Sequence, residues 1–240
     1  MFEALIFDLD NTLLDRLSAQ RRWSEKFATR WLESATKEAI DGAVEDLMTL
    51  DAYGYISREE FGEGVLQRFP QWIPGEGDRS VDHSARRAAF LVEYRQKLIS
   101  FYPRHEAVCD LVERLGQSYR LGVVSNGRVS SQWPKMERAG LDAGFVAVVI
   151  SEEVGFEKPH PEPFLSALRA LDVAAEKSLY IGDNPGHDIA GAAAVGMKTC
   201  WVALGRRFSD DRVKPDLIID SVLELETVLS EKIPPRPLSP

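Results

Sequence analysis

Two aspartates stand two positions apart where an apolar run ends: Ala4 to Phe7 is followed by Asp8-Leu9-Asp10-Asn11-Thr12-Leu13. Carboxylates this close repel, and one takes up a proton unless a cation compensates. A hard divalent ion with oxygen ligands meets that need. Mg²⁺ suits a site of few carboxylates completed by a phosphate group. The same residues have a plainer use, because Asp10, Asn11 and Thr12 can turn the chain and cap a helix.

Three more motifs follow the same plan. Val124-Ser125-Asn126-Gly127 closes a second apolar run, and its hydroxyl and backbone N–H groups can donate to phosphate oxygens or form an ordinary turn. In Glu157-Lys158-Pro159-His160-Pro161, Lys158 is either a point charge for phosphate or Asp8, or a solvated loop lysine. Ile181-Gly182-Asp183-Asn184-Pro185-Gly186-His187-Asp188 again stops an apolar run at a carboxylate. Asp183 would complete a metal site with the first motif. Asp188 would contact metal-bound water, orient a neighbour or cap the next helix. His160 and His187 read as loop or helix-start residues rather than catalysts.

These residues need a scaffold that brings strand ends together. Short apolar runs at Ala4 to Phe7, Leu121 to Val124, Phe145 to Ile150, Leu179 to Ile181, Thr199 to Val202 and Leu217 to Ile219 suit strands buried on both faces of a parallel sheet. Helical patterns lie between most of them, at Ala107 to Leu115, Val129 to Ala139, Pro163 to Leu171 and Asp188 to Val195. Strand alternating with helix predicts an α/β core, Rossmann-like and doubly wound. Ligands of such sheets sit at the carboxyl ends of the strands, where the four motifs fall.

Residues 16 to 99 carry no strand pattern. Trp23, Phe27 and Trp31 mark one helix face; Ala39, Ala43, Leu47 and Leu50 a second; Phe61, Val65 and Phe69 a third; and Val81 to Ile99 a fourth helix after a Gly/Pro-rich loop at Pro70 to Ser80. The organisation expected is a discontinuous core, 1–15 with 100–232, an all-α insert at 16–99, and a flexible tail at 233–240. The aromatic stripes of the insert read as core.

Composition narrows the setting. With 38 acidic against 29 basic residues the net charge is −9, which argues against a nucleic-acid partner. There is no apolar run long enough to span a bilayer, and the N-terminus does not read as a signal peptide. Two cysteines, Cys109 and Cys200, have no metal-site spacing. A cytoplasmic protein acting on a small metabolite is expected.

Taken in order, DLDNT, SNG, EKP and GDNPGHD resemble the haloacid dehalogenase superfamily, specifically its phosphatases with a helical cap inserted after the first motif. The layout around Ala190 to Val202 is most similar to the branch of N-acylneuraminate-9-phosphatase and the pyrimidine nucleotidases. Asn11 stands where family phosphatases commonly have glycine, and His187 where many have asparagine. The resemblance implies a two-step transfer with Asp8 as nucleophile and Asp10 as acid and then base. Asp8, the backbone carbonyl of Asp10, and Asp183 would hold Mg²⁺. Ser125, backbone donors around Asn126, and Lys158 would bind phosphate, with Asp188 behind them and the cap as lid.

Other outcomes share these motifs. A phosphomutase returns the phosphate to a sugar, and core motifs do not separate it from a phosphatase. A 2-haloacid dehalogenase needs neither a metal nor an acid at Asp10. A non-catalytic scaffold would be expected to have lost one of Asp8, Asp10, Lys158 or Asp183. GDNPGHD lacks the spacing of a calcium loop. In the insert, Arg16, Arg21 and Arg22 either reach a second anionic group of the substrate or form a solvated helix face.

Overall fold

The computed structural model describes residues 2–33, 35–73, 82–208 and 213–232. The tail expected at 233–240 lies outside them, as do residues 74–80 of the Gly/Pro-rich loop and Val81. The chain divides into two compact units, Met1–Asp15 with Arg104–Pro240, and Arg16–Pro103.

The first unit opens with β1 (Ala4–Phe7), whose four residues are fully buried. The second unit contains helices α1 (Arg16–Trp31), α2 (Lys37–Asp51), α3 (Arg58–Arg68) and α4 (His83–Ile99). The first unit resumes with α5 (Glu106–Gly116), β2 (Arg120–Ser125), α6 (Val129–Ala139), β3 (Ala147–Ile150) and the single turn α7 (Ser151–Val154). Next come α8 (Pro161–Leu171), β4 (Ser178–Gly182), a π-helical turn at Pro185–Ala190 and α9 (Gly191–Ala194). β5 (Lys198–Val202), β6 (Leu217–Ile219) and α10 (Leu225–Lys232) complete it.

The six strands form one sheet in the order β3-β2-β1-β4-β5-β6. All five pairings are parallel. β1 therefore lies between β2 and β4, and the winding reverses at this centre, where open α/β sheets leave their ligand crevice. On one face, Ile6, Val124 and Tyr180 pack with Phe164, Leu168 and Ala192 in a single apolar cluster. Every run expected as a strand contains one, with β3 beginning at Ala147 rather than Phe145.

The helical unit is built on local signals. Thr36 caps α2, Asp82 caps α4, and Ser57 with Glu60 makes a capping box at α3. Its aromatic stripes are core: Trp23 stacks on Phe27 at 4.8 Å, and Phe61, Phe90 and Tyr94 pack around them. Arg16 is neither a solvated residue nor an open anion receptor. It is buried and grips Asp51 through both terminal nitrogens at 2.5 and 2.6 Å. Arg21 pairs with Glu45 on the exposed surface, and Arg22 is exposed.

Candidate active site

Asp8 follows directly from β1, and its backbone N–H donates to Ile181 O on β4 at 2.8 Å. The chain then doubles back. The amides of Thr12, Leu13 and Leu14 all donate to Leu9 O, and Asn11 N donates to Leu14 O. This tight return places Asn11 at φ 62°. Left-handed backbone disfavours a Cβ, and Asn is among the side chains that tolerate it best. The departure from glycine at this position thus has a conformational reason.

Lys158 joins the strand ends. The residue is 4% exposed, and its three N–H groups are shared among four acceptors in reach: Asp8 Oδ1 at 2.6 Å, Asp188 Oδ1 at 2.7 Å, Val124 O at 2.9 Å and the Tyr180 hydroxyl at 2.9 Å. It is not a solvated loop lysine. Asn126 holds its backbone, accepting from Lys158 N at 2.8 Å and donating to Lys158 O at 3.0 Å. The Asn126 side chain is therefore a clamp between two loops.

Asp8, Asp183 and Asp188 are all buried, and one carboxylate oxygen of each lies within 4.8 Å of the others. The helix-cap role considered for Asp188 is taken by Asn184, whose Oδ1 accepts from Gly186 N and His187 N. Asp188 instead turns inward and accepts from Asn184 N at 2.9 Å and from Tyr180. His187 is exposed, and His160 is exposed and caps α8.

The charges do not balance within this group. Burial opposes the charge on Lys158, but Asp188 and Asp8 outweigh it and hold the ammonium's pKa well above the ordinary lysine value. Burial pushes the Asp8 carboxyl well above its usual range; Lys158 pulls it down, while Asp188 and Asp183 push it up. Asp8 and Asp188 share Lys158 while Asp183 meets Arg206, so three carboxylates face two cations and negative charge remains in excess. The all-oxygen donor set and that excess fit a hard divalent cation.

Four neighbours escaped the sequence reading. Gln132 donates to Ser125 Oγ at 2.6 Å, and Lys135 to Asp10 Oδ2 at 2.6 Å. Their three-residue spacing on α6 places them on one helix face, a signal available in the sequence. Tyr180 lies in β4 beneath Lys158, and only its hydroxyl marked it in an apolar strand. Arg206 donates to Asp183 Oδ2 at 3.2 Å and to Asp183 O at 3.1 Å from a loop with no motif.

This constellation sits on a sequence that matches the haloacid dehalogenase-like hydrolase family over residues 5–202. The chain belongs to that family. Within it, the glyceraldehyde 3-phosphate phosphatase of Methanopyrus kandleri is 31% identical over 96% of this chain and 98% of its own length. The phosphoserine phosphatase of Thermus thermophilus is 38% identical over 92% of this chain and 96% of its own. The HAD-hydrolase YfnB from Bacillus subtilis, solved bound to magnesium, shares the fold at a TM-score of 0.70 and 24% identity, covering 95% of this chain and 99% of that one. These two phosphatases carry different names from the neuraminate and pyrimidine-nucleotide branch that the sequence around Ala190 to Val202 resembles. No helix among the described residues is long and apolar enough to cross a membrane.

Proposed function

We propose that this haloacid dehalogenase-like hydrolase cleaves the phosphate monoester of a small soluble metabolite in two steps, through an aspartyl phosphate on Asp8. The family and its named relatives make the chain a hydrolase acting on phosphate esters. The two-step proposal rests on the Asp8 carboxylate at the switch point of the sheet, held by Lys158 at 2.6 Å.

In the first step an Asp8 oxygen attacks phosphorus, the bond to the ester oxygen breaks, and Asp10 gives that oxygen a proton. In the second, Asp10 takes a proton from the attacking water, the Asp8–phosphorus bond breaks, and inorganic phosphate leaves. Ser125 Oγ, the backbone at Asn126 and Lys158 supply donors and positive charge to the phosphoryl oxygens. Asp8, Asp183 and the Asp10 carbonyl would hold Mg²⁺, with Asp188 beside them; the ion, when bound, supplies charge that offsets repulsion between a carboxylate and a phosphate dianion. Tyr180 and Asn126 keep Lys158 aimed at Asp8.

A panel of metabolite phosphates assayed for phosphate release, with Mg²⁺ and with chelator, tests this reading. Metal-dependent release from one or a few substrates is expected. Release at full rate in chelator overturns the metal assignment, and return of the phosphate to a second hydroxyl of the substrate identifies a phosphomutase.

A further inference from the structure

The two aspartates of the first motif meet different lysines. Lys158 takes Asp8 Oδ1, while Lys135 takes Asp10 Oδ2, also at 2.6 Å. The second pair joins residues 125 positions apart and is largely shielded, with side-chain exposures of 11% for Lys135 and 24% for Asp10. Lysine is seldom buried without a purpose for its charge. Three residues earlier on α6, buried Gln132 donates to Ser125 Oγ at 2.6 Å and to Asn126 O at 3.1 Å. One helix face thus sends two side chains into the site. Each ends on a residue of the phosphoryl-transfer machinery.

We infer that Lys135 is a positioning residue for Asp10, fixing the plane of its carboxyl group so that the proton is delivered to the leaving oxygen. This inference rests on the phosphatase reading above. Rotation about the last bond of an aspartate is broad and weakly restrained. Proton transfer requires hydrogen-bond reach to the atom that receives the proton. An ammonium anchored on one carboxylate oxygen removes that rotational freedom. The need is unequal among substrates. An alkoxide must be protonated as it leaves, whereas a nitrophenolate departs without help. Lys135 therefore matters for alkyl phosphates and little for activated aryl phosphates.

The test compares kcat/KM of the full-length protein with Mg²⁺ on p-nitrophenyl phosphate, phenyl phosphate and a simple alkyl phosphate. The proteins are wild type, Lys135→Met, Lys135→Arg, Asp10→Asn and the Asp10→Asn/Lys135→Met double variant. Lys135→Met is expected to lose about 100-fold on the alkyl ester and less than about 5-fold on p-nitrophenyl phosphate, in line with the usual weight of general acid catalysis. Lys135→Arg should recover most of the loss. The double variant should match Asp10→Asn alone, as for residues acting through one another. An equal loss on all three substrates, or losses that multiply in the double variant, overturns the inference. Lys135→Gln carries the same comparison if Lys135→Met does not fold. A wild-type protein that hydrolyses neither these esters nor any metabolite phosphate of the panel overturns the phosphatase reading itself, whereas wild-type turnover with a loss independent of the leaving group overturns only the role of Lys135.

Discussion

Lys158 Nζ stands 2.6 Å from Asp8 Oδ1, although 150 residues of chain separate the two. The contact exists because β1, β2 and β3 lie side by side and parallel, so the loops that follow β1 and β3 leave from the same carboxyl-terminal edge of the sheet. The same edge gathers Asp183 and Asp188. A lysine that serves two buried carboxylates, with a third beside them, makes this edge a receptor for added positive charge.

Cation binding should therefore depend on pH with a definite sign. Asp8 has a pKa raised above its ordinary 3.8, so the metal-free fold binds more protons than the unfolded chain in the window above that value. Stability of the metal-free protein contributed by this group falls as pH rises through the window. Mg²⁺ replaces the proton, so the rise in Tm on adding it should be larger at about pH 7.5 than at about pH 5.5. Melting curves with Mg²⁺ and with chelator at both pH values check this; an equal or smaller rise at the higher pH counts against it.

Gly182 should not accept a side chain. A Cβ there would lie 2.6 Å from the Asp188 carboxylate. Gly182→Ala is expected to cost about 1–3 kcal/mol, as overpacking does. It should also push Asp188 off Lys158 and lower turnover more than stability alone accounts for. Urea unfolding and kcat measured on the same sample separate the two effects.

At Asn11 the backbone, rather than the amide, sets the requirement. With φ at 62°, Asn11→Gly should keep activity and stability close to wild type. Asn11→Val should lose about 1–2 kcal/mol, the cost of a Cβ in left-handed backbone. Unfolding curves of the two variants decide it.

In the helical unit, Asp51 carries two arginines: Arg16 through both terminal nitrogens and Arg58 at 3.3 Å. Burial opposes its charge, and Arg16 and then Arg58 outweigh burial and hold its pKa below the usual value. Asp51→Ala should destabilise the protein by about 3–5 kcal/mol, because it leaves a buried guanidinium unpaired. Replacing both partners, as Arg16→Met with Asp51→Leu, should recover most of that loss. Denaturant midpoints of the wild type and the two variants measure it.

The sequence made the sheet legible because its strands are short, wholly apolar and punctuated by turns, the pattern of strands buried on both faces. Asp8 and Asp183 stand out in the sequence because each directly follows such a strand. The partners of the motif residues do not. Lys135 and Gln132 read as polar residues of an amphipathic helix, and which way that helix face turns depends on tertiary packing. Arg206 reaches Asp183 from a loop whose path no local pattern encodes. Arg16 looked like a surface residue because its partner Asp51 lies at the far end of another helix. For Asp188 the sequence leaves a helix cap and an orienting role side by side, and Asn184 takes the cap.

The central claim is that phosphate passes through Asp8. Rapid acid quench of the full-length protein during turnover of a phosphate-labelled substrate, followed by peptide mapping, tests it most directly. The account predicts label on the peptide bearing Asp8, released by hydroxylamine as an acyl phosphate is, and absent from Asp8→Asn. Label on any other residue, or turnover by Asp8→Asn close to wild type, would contradict it.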